Sequence, residues 1–133
     1  MFKRRSRKSE LDQEALRLWR ELALKVWGSK CLITGEEASE MHHFISQGQS
    51  RLLKHDVINA VPLAMRIHKK IHSSAKPNEA RQLKQEIRDK RGKEWCDYID
   101  KKERLNLGGF YGEDYLEKVI TELRDQLDKS SKI

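Results

Sequence analysis

One pattern restricts this chain more than any other: Glu40-Met41-His42-His43, then Asn59, then His68 and His72, or E-x-H-H-x15-N-x8-H-x3-H. All but one of the five histidines lie inside it. Histidine is the commonest metal ligand and the natural acid or base near neutral pH. His68 and His72, four apart, share one face of a helix about one turn apart. His42 and His43, adjacent on a strand, point to opposite sides. A fold that uses them together must bring a strand, a loop and a helix to one place. Three imidazoles can then hold an ion while a fourth stays free, if the strand end twists enough for both rings of the doublet to face one cleft.

Composition narrows the setting. The chain has 133 residues, a formal charge of +7 and 37 % apolar residues, which suits one domain with a small core and a broad charged surface. Excess Lys and Arg point to a polyanionic partner, DNA or RNA. Met1-Phe2-Lys3-Arg4-Arg5-Ser6-Arg7-Lys8 runs into a charged amphipathic stretch, so neither a signal peptide nor a membrane span is expected. Cys31 and Cys96 suit a reducing cytoplasm and offer no disulfide framework.

The coarse organisation is a basic arm over 1–8, a core with its leading helix over 9–76 that carries the histidine pattern, and a helical extension over 77–133. Ser9 with Asp12 approximates a capping box, and Leu11, Ala15, Leu18, Trp19, Leu22 and Val26 follow helical spacing until Gly28. Residues 31–35 read as a turn. Strands are expected over 41–46 and 57–61, with a polar loop over 47–54 between them. Pro62 fits the first turn of the helix carrying His68 and His72. Pro77 opens a long helix to about Lys102, and Gly108, Gly109 and Gly112 precede a last helix over 113–129. Trp19, Trp27 and Trp95 occupy amphipathic positions and read as core rather than base-stacking platforms.

Between Arg66 and Lys93 stand ten Lys or Arg against three acids, whereas the stretch from Glu103 to Ile133 has seven acids against five bases. The basic block suits a nucleic-acid surface. The acidic last helix should face away from it, toward a partner or a second copy in a homodimer. Arg66, Lys69 and Lys70 flank the histidine helix, where they either touch phosphates or form a solvated face.

The pattern resembles the HNH endonuclease superfamily, the ββα-metal fold, and most closely its colicin-type branch with three histidine ligands. The resemblance covers about 31–74. It implies an α+β chain: a leading helix, a ββα-metal core and helical additions. It further implies that His42, His68 and His72 hold one divalent ion (Mg, Mn, Ni or Zn), that His43 is the general base, that Asn59 braces the loop between the strands and orients His43, and that Glu40 supports the liganding imidazoles. The expected activity is hydrolysis of phosphodiester bonds in DNA. The build is also similar to small phage-borne HNH nucleases linked to recombination, which would place the protein in a host cytoplasm.

The chain departs from the family where paired C-x-x-C motifs would bind a structural zinc. Cys31-Leu32-Ile33-Thr34 has threonine at the second cysteine position and Cys96 stands alone, so no structural zinc is expected. A competing possibility is a non-catalytic, metal-stabilised nucleic-acid-binding or assembly module. That would need a fourth protein ligand, and His55 is the only histidine left to supply it; His55 otherwise reads as an ordinary surface or core residue.

Overall fold

The structure is a computed structural model that describes residues 6–73, 75–105 and 111–131. Helix α1 spans Arg7–Trp27, and the hydroxyl of Ser6, rather than Ser9, caps it by accepting from the Ser9 amide. Both serines can cap, and the earlier one gains most of an extra turn. Arg7 and Lys8 therefore belong to the helix and not to an arm; residues 1–5 lie outside the described residues. Gly28 ends α1 at φ +81°, a left-handed value that side chains disfavour, with its N–H on the Leu24 carbonyl.

Strands β1 (Glu40–His43) and β2 (Ala60–Leu63) pair antiparallel, with His42 opposite Val61 and His43 opposite Ala60. Both strands are shifted from the expected 41–46 and 57–61. A short helix α2, Arg51–Lys54, occupies part of the expected loop, capped by Ser50, and a 3-10 turn covers Val57–Asn59, capped by Asp56. Pro62 lies inside β2 and does not open a helix. Phe44 donates to the Asn59 carbonyl, and the alternation of the ladder then puts Met41 and Pro62 at a non-hydrogen-bonded pair, where a missing N–H breaks no bond.

Helix α3 spans Met65–His72, α4 Pro77–Arg91, α5 Lys93–Glu103 and α6 Glu113–Ser131. The single long helix expected after Pro77 is two, because Gly92 at φ +91° breaks it. Gly108 and Gly109 lie outside the described residues.

The sheet separates two apolar clusters. On one side Ala60 joins Ala15, Leu18, Trp19, Leu22 and Ala23 of α1 with Val119, Ile120 and Leu123 of α6. The apolar side of α6 is thus covered by α1 of the same chain. On the other side Val61 and Leu63 join Phe44, Ile67, Ile71, Ile87, Trp95 and Ile99. Each fully buried Ile or Leu there contributes about 1.5–3 kcal/mol. The alternation that sorts β2 between the clusters also sorts the doublet on β1: His42 faces α3, and His43 faces α1.

All three tryptophans are packed as expected for core residues, and each has a further role. The indole N–H of Trp19 donates to the Asp56 carbonyl (2.9 Å), that of Trp27 to Val57 (2.8 Å) and that of Trp95 to Ile58 (2.7 Å). Three successive carbonyls of the segment before β2 are thereby pinned from α1 and α5. The architecture is α+β and mostly helical, with one two-stranded antiparallel sheet. Among the described residues, no helix is long and apolar enough to cross a membrane.

Candidate metal centre

His42, His68 and His72 converge, each offering a ring nitrogen within 4.8 Å of the others. The helix contributes the last two at i and i+4, and their Nε2 atoms lie 3.0 Å apart. His42 comes from β1, with its ring centroid 5.0 Å from that of His68 and 5.2 Å from that of His72. Burial, followed by the charges His68 and His72 would carry, pushes the His42 imidazole down to about 3. Burial also lowers His68, with His72 adding to the effect and Glu40 opposing it. Neutral imidazoles are the form that binds a cation. His42 Nε2 is buried without a hydrogen-bond partner, and two further nitrogens stand at near-ligand separation. A borderline divalent ion fits this donor set. His72 is exposed, so the cluster opens to solvent on that side.

His43 is committed differently. Its ring lies parallel to the Trp19 indole, centroids 4.0 Å apart and planes within 4°. Its Nε2 is 2.8 Å from the Lys54 carbonyl. A carbonyl only accepts, so Nε2 carries the proton and Nδ1 keeps the lone pair. Burial holds this imidazole down at about 4, although the Lys54 carbonyl partly offsets it. At neutral pH His43 is therefore an uncharged acceptor of fixed orientation, directly beside the cluster.

Asn59 is fully buried. Its Oδ1 accepts from the Ile45 amide (2.8 Å), and its Nδ2 donates to the carbonyls of Ile45 (3.0 Å) and Leu53 (3.1 Å). The side chain thus ties the residue two past His43 to the peptide next to Lys54, whose carbonyl holds His43. No family model matches the chain, and no curated protein or solved structure matches it significantly.

A cleft of ≈ 420 Å³ takes in His42, His43, His68 and His72 together with Glu40, Ser46, Gly48 and Arg20. Both members of the doublet thus border one opening. Glu40 shares the His42 side of the strand and acts on the cluster through its charge on His68. Arg66, Lys69 and Lys70 are not among the cleft's walls. Arg66 pairs with Glu36, and Lys70 lies 3.3 Å from Glu79, while Lys69 is exposed. His55 is separate: its Nε2 donates to Asp12 (3.0 Å), and it does not close the cluster.

Three residues of the site were not singled out for it from sequence. Trp19 reads as core by periodicity, which is true of its burial and silent about the imidazole on its face. Arg20, one residue on, enters the cleft from α1, and Lys84 of α4 puts its charge on His42 from another side. Nothing in their local sequence distinguishes either cation from its neighbours.

Proposed function

We propose that the chain is a metal-dependent endonuclease of HNH type, with β1, β2 and α3 as its ββα-metal core, hydrolysing phosphodiester bonds in DNA. One observation carries this reading: three imidazoles converge at an opening to solvent, and a fourth, bordering the same cleft, is held as a neutral acceptor. A divalent ion on His42, His68 and His72 would supply charge stabilisation at the scissile phosphate and the leaving oxygen. His43 Nδ1 takes the proton of the attacking water, with Nε2–H anchored on the Lys54 carbonyl. The stacked Trp19 prevents the ring from tipping, and Asn59 fixes the Leu53 carbonyl, one peptide before the Lys54 carbonyl that holds it. Arg20 stands where a phosphate oxygen can meet it in the cleft.

The deciding experiment measures plasmid nicking and bis(p-nitrophenyl) phosphate hydrolysis with added magnesium, manganese, nickel or zinc, against a chelator control. Calorimetric titration in parallel reports whether each ion binds. Binding without hydrolysis by any of the four ions retires the endonuclease reading.

A further inference from the structure

The basic block between Arg66 and Lys93 is a poorer phosphate surface than its charge count implies. Six of its ten cations are already engaged. Arg66, Lys70, Arg88 and Lys93 pair with carboxylates; Lys90 donates to the Leu32 and Ile33 carbonyls; Arg91 is wedged against Trp27 and donates to the Ala60 carbonyl. By contrast Arg20, Arg51 and Arg104 form no ion pair among the described residues.

These three arginines line two grooves that meet. The histidine cleft, which contains Arg20, has Gly48 in its wall, and so does a groove of ≈ 360 Å³ lined by Ser50, Arg51, Glu103 and Arg104. Arg51 is set in place, its guanidinium 5.2 Å from the centroid of the Tyr111 ring, whose hydroxyl donates to Asp12 (2.6 Å). Lys8 lies at the same ring, also 5.2 Å from its centroid. Glu103 is the one acid in the second groove, and two arginines outweigh it.

We propose that a polynucleotide strand leaves the histidine cleft over Gly48 and runs between Arg51 and Arg104, which hold its phosphates. This rests on the nuclease reading for its substrate class, and deepens it by giving the strand a direction. Gly48 is the crossing point because it has no side chain there: a Cβ built on it meets nothing within 4 Å, and its φ is not left-handed. Leucine is thus tolerated by the backbone and stands in the path.

The test is fluorescence anisotropy of the full chain with a labelled single-stranded oligodeoxynucleotide in chelator, so that no cleavage intervenes. Arg104→Ala and Arg51→Ala should each weaken binding several-fold and flatten the salt dependence by about one unit of slope. Gly48→Leu should weaken it with the salt slope kept, while Lys129→Glu on α6 serves as the remote charge control. Arg51 touches Tyr111, so Arg104 and Gly48 decide the outcome if that variant melts early. The track is overturned if Gly48→Leu and Arg104→Ala both bind within twofold of the parent, or if Lys129→Glu weakens binding as much as they do. A parent that binds the strand through Arg104 but hydrolyses no diester retains the track and loses the nuclease.

Discussion

The imidazole of His43 lies flat on the indole of Trp19, 4.0 Å between centroids and 4° between planes. Trp19 is fully buried, so it is at once part of the core and the floor of the site. Trp19→Ala should cost about 3–5 kcal/mol in chemical denaturation. Trp19→Phe keeps a ring but gives up the bond to the Asp56 carbonyl, which together with the smaller volume should cost about 1–3 kcal/mol. In that variant hydrolysis should fall about tenfold or more, because a misplaced base loses its alignment, while calorimetric metal affinity stays at the parental value. Parental kcat in Trp19→Phe would show that the stack does not position the base.

His43 and His68 should separate chemistry from binding. His43→Ala should bind nickel or zinc like the parent and lose about 10²–10⁴-fold in hydrolysis. His68→Ala should lose both, since it removes one of three converging nitrogens. The same contrast should appear in thermal melts. A saturating ion at 100 times its dissociation constant raises stability by about 2.7 kcal/mol in the parent and in His43→Ala, and the rise vanishes in His68→Ala.

Asn59→Ala strips partners from the Ile45 amide and from two carbonyls that stay buried, and should destabilise by about 2–4 kcal/mol. Asn59→Asp should be worse despite its shape, because a carboxylate oxygen would face the Ile45 and Leu53 carbonyls where an amide now donates. Urea midpoints of the two variants decide the order. An Asn59→Asp protein as stable as the alanine variant would mean that the carbonyls turn away.

Two buried imidazoles, His42 and His55, and the partly buried His43 set how the metal-free protein responds to acid. Burial holds His42 at about 3 and His43 at about 4, and lowers His55 in spite of the neighbouring Asp12 charge. The unfolded chain protonates them near 6.5, so below that pH it binds more protons than the folded state. Stability therefore rises with pH through the window from about 3–4 to 6.5, and is lost as pH falls through it. The slope approaches about 1.4 kcal/mol per pH unit for His42 alone. Denaturant midpoints in chelator should drop steeply from pH 7 to pH 5, and a flat profile would contradict the burial of these rings.

Local chemistry explains which parts could be read from sequence. The i, i+4 pair on α3 and the doublet on β1 obey periodicities of about 3.6 and 2, so which histidines share a face was legible from spacing, while the grouping of His42 with His68 and His72 was implied by the family resemblance. Asn59 was legible through its place in the pattern, although its three bonds depend on Ile45 and Leu53. The strand limits were missed because Pro62 looks like a helix opener and only the pairing register reveals that its position needs no N–H. The α4–α5 break was hidden because a glycine inside a charged helical run has the same letters whether its φ is negative or +91°. Trp19, Arg20 and the Lys54 carbonyl could not be found at all. Their roles arise from packing α1 and α2 against β1, and a backbone carbonyl has no sequence signature.

The three indole donors on residues 56–58 have a spectroscopic consequence. Every tryptophan in the chain has its N–H on that one segment, which leads directly into Asn59 and β2. Intrinsic emission is therefore a gauge of a single place, the segment that leads into β2. Loosening of that segment should register optically even while the helices keep their turns.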